Sequence, residues 1–288
     1  MSALTRSIPA CPCGKPHICP ISAVEIGEGA LSSIPALCAG FTRILLVADE
    51  NTYAACGREV EGLLGRLVAS RHVFEGEGVV IPDEASVEAI EGKLTPDTDL
   101  IVGVGSGVIN DLCKLASHHH AQSYICVPTA ASVDGYSSFG ASITYQSAKQ
   151  TFNCPAPVAI VADIDVIAAA PKEMTAAGYA DLAAKIPAGG EWMIADFVGS
   201  EAIIPDAWHI LQDYIDDFLA DPDAVAAGDP QAIADLFEGL TLSGFAMQAA
   251  RSSRPASCCD HLFSHFLDMS GHRFNGKLQS HGFQVAIG

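Results

Sequence analysis

Positive charge is scarce in this chain: 15 lysines and arginines stand against 34 aspartates and glutamates, a formal net charge of −19 over 288 residues. Such an envelope repels nucleic acid and anionic membrane surfaces, so neither is an expected partner. A phosphate-bearing ligand would need a locally positive pocket built from few cations. Long apolar runs are also lacking: none reaches the roughly 18 residues needed to cross a bilayer, so no membrane insertion is expected. The opening M-S-A-L-T-R-S-I-P-A-C-P-C-G has no secretory apolar core. These absences make the cytoplasm the expected location. No internal repeat or low-complexity tract is present. Apolar residues make up 49% of the chain, enough for two domains and a sizeable core, which excludes disorder.

Ten cysteines are scattered through the chain. Several, such as Cys113, Cys126 and Cys154, are embedded in apolar strands, as expected of buried thiols in a reducing compartment. Disulfides are not indicated. Cys11, Cys13, His17 and Cys19 cluster near the start and are compatible with a tetrahedral zinc clip, although their spacing fits no zinc knuckle well. A loose lead-in to the first strand is the plainer explanation. The tract His118-His119-His120 cannot converge on one ion from a helix and is expected at a solvated helix end.

From Val24 to Ala162 the pattern alternates strand and helix. Strands are expected at 24–26, 43–49, 72–74, 99–104, 124–127 and 157–162, with helices at 30–37, from Asn51 to about Val68, and at 82–94. Residues 135–151 suit a β-hairpin or covering loop. Such alternation predicts a parallel sheet covered on both faces. From Lys172 onward the pattern is helical, with a helix at 208–219 and a charged loop at 221–230. The expected architecture is therefore an α/β, Rossmann-like domain over residues 1–165 and an all-helical domain over 166–288, with a cleft between the two.

The densest chemistry lies in I-V-G-V-G-S-G-V-I-N-D-L-C-K and Y-I-C-V-P-T-A-A-S-V-D. Gly103, Gly105 and Gly107 permit a tight turn whose backbone N–H groups can face a pyrophosphate, although the spacing departs from G-x-G-x-x-G. Thr129, Ser132 and Asp134 fall at the mouth of the same sheet, where ligands collect. Asp49 ends another buried strand; it can bond a nucleotide ribose or cap the next helix. Among the later residues, Asp181 lies early on a helix, His261 and His265 are four apart on one helical face, and His281 opens a further helical segment. Singly, each has a structural explanation. Together, one carboxylate and two imidazoles would hold a divalent ion with positions open for a substrate oxygen, a donor set that suits zinc, nickel or iron.

Taken in order, G-S-G-V-I-N-D-x-x-K, V-P-T-A-A-S-V-D-G-Y-S-S, A-K-Q-T, A-P-x-x-M-x-A-A-G-Y-A-D-L-A-A-K, H-x-x-x-H and H-G resemble the glycerol-1-phosphate dehydrogenase family. That family is related to glycerol dehydrogenase, iron-type alcohol dehydrogenases and dehydroquinate synthase. The resemblance implies a dehydroquinate-synthase-like fold and metal-dependent, NAD(P)H-linked reduction of dihydroxyacetone phosphate to sn-glycerol 1-phosphate, for phospholipid synthesis. It assigns Asp181, His261 and His281 to the metal. Gly105, Ser106, Gly107, Val108, Ile109, Asn110, Asp111, Thr129, Ala130, Ala131, Ser132 and Ser138 would hold NAD or NADP, with Asp49 favouring NAD because a carboxylate there repels a 2′-phosphate.

Asp134 and His265 would face the substrate, and Lys149 is the candidate for its phosphate by analogy with a lysine in the same loop of dehydroquinate synthase. Where iron-type alcohol dehydrogenases carry a further ligand four residues after the aspartate, this chain has Lys185, which favours a three-ligand site. A glycerol dehydrogenase acting on unphosphorylated polyols and an inactive nucleotide-binding homologue are the alternatives. Family members continue beyond the equivalent of Gly288 with further helices, so the chain is expected to be incomplete at its C-terminus. It is also expected to form a homo-oligomer.

Overall fold

A computed structural model describes residues 19–76, 80–146 and 148–288. It divides into two compact units. One comprises Pro20–Ala130 and Gly140–Ala170; the other contains Ala131–Phe139 and Pro171–Gly288. The sheet unit runs to Ala170, five residues past the boundary expected between 165 and 166. What the pattern did not reveal is that nine residues at the exit of a strand pack with the helices instead.

The first unit is built on six parallel strands, β1 (Ala23–Gly27), β2 (Ile44–Asp49), β3 (Val68–Phe74), β4 (Leu100–Gly105), β5 (Ser123–Pro128) and, after a hairpin of β6 (Ala141–Tyr145) and β7 (Ala148–Phe152), β8 (Ala159–Asp163). Their order in the sheet is β1-β8-β5-β4-β2-β3. The central strands are continuous apolar runs because both faces are covered: Ile44 to Ala48, Leu100 to Val102 and Ile160 to Ala162 are buried almost without exposure. Their side chains join Leu31, Ile34, Val60 and Leu64 from the flanking helices in one core.

The chain runs from β2 outward to β3, then returns to place β4 on the other side of β2, with Ala48 opposite Val104. The order therefore reverses between β2 and β4. The carboxyl ends of these two strands, Asp49 and Gly105, sit at the crevice where doubly wound sheets take their ligands.

Three expected helices differ in extent, the one at 82–94 spanning only Glu84–Glu91. The helix after Asp49 closes at Leu64 rather than running to Val68, because Gly65 turns with φ 52° and Val68 already opens β3. The expected helix over 208–219 is two, Pro205–Leu211 and Ile215–Phe218. Within the charged loop a short helix forms at Pro222–Ala227, capped by Asp221, whose carboxylate accepts from the Ala224 N–H.

The helical unit is centred on Pro230–Ala250, which starts at an Asp229 cap with proline in its first turn and is buried along nearly all its length. Against it pack Lys172–Ala183 and Pro205–Leu211; Cys259–Met269 packs on His281–Ile287, which in turn lies on Lys172–Ala183. Among the described residues no helix is long and apolar enough to cross a membrane.

Candidate active site

In the sheet unit, Gly105 ends β4 and Ser106 precedes the helix Gly107–His119. Neither Gly103 nor Gly105 takes a left-handed φ. Glycine is required at 105 for space, since a Cβ there would meet the Ile109 side chain at 2.6 Å. The first helical turn is thus drawn against the strand end, with no side-chain cap at Ser106, and its leading N–H groups carry the positive end of the helix dipole. The tight turn expected from the sequence is thus reached through close packing rather than through positive φ.

Other residues expected around a nucleotide have visible structural duties. Asp49 caps its helix, its Oδ1 accepting from the Thr52 N–H while Thr52 Oγ1 accepts from the Asp49 N–H. Asn110 Oδ1 accepts from the Tyr124 hydroxyl. Asp111 accepts from Asn110 Nδ2 and from the Ser142 N–H, which fastens the β6–β7 hairpin to the glycine-turn helix. Burial pushes the Asp111 carboxyl up, opposed by Lys114 and by Lys149, the β7 residue expected to meet a phosphate. Lys114 is fully buried and donates to the Gly140 carbonyl. Val108 and Ile109 lie in the first turn of the same helix, and Thr129 and Ala130 are buried at the end of β5.

In the helical unit the loop Ala131–Phe139 is clamped by small residues. A Cβ on Gly178 would lie 1.9 Å from the Ala131 carbonyl oxygen, and one on Gly244 would lie 2.0 Å from Ser137 Oγ. Ser132 Oγ lies 3.2 Å from the Tyr136 hydroxyl, and Ser138 Oγ donates to the Gly135 carbonyl. Gly282 repeats the device at the other end: its Cβ would lie 1.9 Å from the Ala177 carbonyl oxygen, so helix His281–Ile287 lies directly on helix Lys172–Ala183. Contacts this close fix where Asp134, Asp181 and His281 stand.

Asp181, His261 and His281, distant in sequence, come together: each offers a ligand atom, and these lie within 4.8 Å of one another. His261 Nε2 is 3.9 Å from Asp181 Oδ1, and the two imidazoles meet edge to face with centroids 4.9 Å apart. Asp181 is fully buried, its Oδ2 accepting from the Asp134 N–H at 2.9 Å. His261 Nδ1 faces Asp260 Oδ2 at 2.6 Å, the carboxylate–imidazole arrangement that turns Nε2 toward a metal. His281 Nδ1 lies 3.0 Å from Ser264 Oγ. A carboxylate and two imidazoles on rigid helices, each imidazole with a partner already at Nδ1, fit a divalent ion. No second such group occurs among the described residues; His118, His119 and His120 are exposed at a helix end, as expected, with His119 and His120 beside Glu91.

Lys185 occupies the position one turn after Asp181. Its side chain is fully buried, with Nζ 2.7 Å from Asp181 Oδ1 and 3.0 Å from Asp134 Oδ2, which also accepts from Ser243 Oγ at 2.8 Å. Burial would lift the Asp181 carboxyl, but Lys185, then His281 and His261, outweigh it and hold it at about 2. Burial likewise opposes the Lys185 ammonium, and Asp134 and Asp181 hold it charged. The sequence points to Lys185 one turn after Asp181, though not to its ion pairs, and puts Asp181 early on a helix, whereas Asp181 stands in the last turn of Lys172–Ala183; the partners Ser243, Asp260, Ser264 and Gln284 are not foreshadowed. For Lys185 a signal existed, since i and i+4 share a helical face. For Ser243, 109 residues from Asp134, there was none. His265 is half-buried on the His261 helix. Of the N-terminal cluster only Cys19 is among the described residues, where it is half-buried; Cys11, Cys13 and His17 lie outside them, and the eight described cysteines form no disulfide.

Residues 25–171 match the family model described as iron-containing alcohol dehydrogenase. Over 282 residues the chain is 32% identical to a glycerol-1-phosphate dehydrogenase [NAD(P)+] from Halalkalibacterium halodurans, covering 96% of this chain and 71% of that protein. It is 32% identical over 248 residues to a protein of the same name from Pyrococcus furiosus, covering 85% and 69% respectively. Among solved structures, glycerol dehydrogenase from Schizosaccharomyces pombe superposes with a TM-score of 0.71 at 20% identity, covering 92% of this chain and 68% of that one. An iron-containing alcohol dehydrogenase from Thermotoga maritima gives 0.69 at 18% identity, covering 93% and 75%.

Proposed function

Because the chain belongs to the iron-containing alcohol dehydrogenase family, alongside glycerol-1-phosphate dehydrogenases, we propose that it interconverts dihydroxyacetone phosphate and sn-glycerol 1-phosphate with NAD(P) and one divalent metal ion. The observation that carries this reading is the convergence of Asp181, His261 and His281, whose ligand atoms lie within 4.8 Å of one another. We assign the nucleotide to the sheet unit, at the Gly105–Asp111 turn with Asp49, Thr129 and Ala130, and the metal and substrate to the helical unit, which also carries Ala131, Ser132 and Ser138.

When bound, the divalent ion supplies a Lewis acid for the C2 carbonyl and the reduced nicotinamide supplies the hydride. The chain's own residues do the rest. Asp134, held by Lys185 and Ser243, accepts a hydrogen bond from a substrate hydroxyl and so orients it. His265 delivers the proton that the new C2 oxygen requires, so that one hydride and one proton are added per turnover. Lys149 pairs with the phosphate in an otherwise acidic chain. Two further elements of the proposal are a homo-oligomeric state and a cytoplasmic location. Supporting the former, Ile186, Met193, Ile194 and Phe197 leave an apolar stripe exposed along helix Lys185–Phe197; sedimentation velocity tests it.

The deciding experiment follows NADH and NADPH loss with dihydroxyacetone phosphate or dihydroxyacetone, before and after chelation and after adding zinc, nickel or iron separately. Loss of activity on chelation, restoration by one of these metals and preference for the phosphate ester are expected. Full activity in verified metal-free protein would remove the metal. Preference for dihydroxyacetone would make the protein a polyol dehydrogenase instead.

A further inference from the structure

His281 Nδ1 meets a chain of three side chains whose donor and acceptor roles are forced in one direction. Gln284 Nε2 lies 2.7 Å from Asp268 Oδ1. As a carboxylate, Asp268 only accepts, so the Gln284 amide must turn its NH2 toward Asp268 and its carbonyl away. That carbonyl, Oε1, receives the Ser264 hydroxyl at 2.8 Å. A hydroxyl has one hydrogen, and Ser264 has given it to Gln284; only lone pairs are left for His281 Nδ1, 3.0 Å away. Nδ1 must therefore carry the hydrogen. In a neutral imidazole this puts the lone pair on Nε2.

We propose that Asp268, Gln284 and Ser264 are positioning residues that lock His281 in the Nδ1–H tautomer and so ready its Nε2 as a ligand. The inference rests on the metal reading given above and adds three residues to it. Burial makes the lock effective: Ser264 is 0% and Gln284 2% exposed, so water does not readily substitute for either. His261 reaches the same state in a single step, through Asp260. The two ligands thus have different supports, one direct and one relayed across helices Cys259–Met269 and His281–Ile287.

The test uses metal-free protein with 15N-labelled histidines. Long-range proton–nitrogen spectra distinguish the two tautomers, and His281 is assigned by the signals missing in His281→Gln. The wild type should show His281 as Nδ1–H. Ser264→Ala removes the acceptor, and Asp268→Asn lets the relay run in reverse because an amide both donates and accepts. Each variant should shift His281 toward a mixture with Nε2–H, and each should weaken zinc binding, measured against a chelating dye, by ~10- to 100-fold.

Asp268 is half-buried at the outer end of the relay, so its isosteric variant keeps the test alive if Ser264→Ala fails to fold. An Nε2–H tautomer in the wild type would overturn the proposal, and so would an unchanged tautomer and zinc affinity in Asp268→Asn. If the wild type takes up no divalent ion, the metal reading falls while the tautomer spectra still decide this inference.

Discussion

Replacing Lys185 by methionine removes one positive charge while keeping most of the side-chain volume. In the parent protein without metal, the ammonium stands 2.7 Å from Asp181 and 3.0 Å from Asp134, with no exposure of its own. Without it, two carboxylates face one another in a site where Asp181 has no access to water. Removing one partner from a buried ion pair costs about 3–5 kcal/mol, because the remaining charge is left uncompensated. At roughly 2–4 °C per kcal/mol for a domain of this size, the metal-free variant should melt roughly 6–20 °C below the parent. A divalent ion brings positive charge back beside Asp181. Excess zinc should therefore raise the melting temperature of the variant more than that of the parent, narrowing the gap. Calorimetry of chelated and zinc-loaded samples reads both effects. A metal-free variant melting within about 2 °C of the parent would refute the claim that Lys185 neutralises this pair.

Four further outcomes follow from the same structure. Gly282→Ala drives a methyl group to 1.9 Å from a backbone oxygen that cannot rotate away, so it should cost about 1–3 kcal/mol or more despite the better helix propensity of alanine, and should also weaken zinc binding. Asp181 titrates at about 2 instead of 3.8. Between those values the unfolded chain binds more protons, so its contribution is complete above about pH 4, is lost as pH falls through the folded value, and should vanish from acid-unfolding curves in Asp181→Asn. Cys259 is exposed, whereas Cys113 and Cys126 are buried and burial pushes the Cys126 thiol up to about 12. Peptide mapping after brief alkylation should thus find Cys259 modified and the other two intact, with Glu191→Gln speeding Cys259 because a hydrogen bond to Glu191 raises its thiol. His265→Ala should lower kcat by about 10²-fold or more while leaving NADH affinity, measured by fluorescence titration, nearly unchanged; an unaltered kcat removes His265 from the proton-transfer role.

The parts of the molecule legible in the sequence are those written in local periodicity. Buried parallel strands announce themselves as apolar runs, so β2, β4, β5 and β8 were found at nearly their observed places. Strand β1 and the hairpin followed from shorter patterns. The helix after Asp49 was overextended because Arg66, Leu67 and Val68 continue an acceptable helical pattern, and only the backbone turn at Gly65 reveals the break. The glycines before Gly107–His119 were attributed to turn flexibility, whereas at Gly105 the requirement is distance from Ile109. Asp181, His261 and His281 stand out in the sequence through the ordered family motifs that carry them, and the structure brings the three together. The surrounding Ser243, Ser264 and Gln284 are common polar residues whose roles come from tertiary contacts 17 to 109 residues away, which no local pattern encodes.

The scarcity of cations bears directly on how such a chain handles a phosphorylated substrate. Of its 15 lysines and arginines, Lys114 and Lys185 are fully buried and engaged internally, one on the Gly140 carbonyl near Asp111 and the other between Asp134 and Asp181. Neither can also serve as a mobile counter-ion for an incoming phosphate without stranding a buried acid. On the assignment proposed above, a pyrophosphate would draw on backbone N–H groups at the uncapped start of helix Gly107–His119, and the substrate phosphate on Lys149 and the positive charge of a divalent ion. This division predicts a particular salt response. Dipoles fixed in the fold are screened little, whereas attraction to a half-exposed lysine is screened strongly. Raising ionic strength from low to physiological should therefore increase KM for dihydroxyacetone phosphate more than the Kd for NADH, and Lys149→Gln should erase most of that difference.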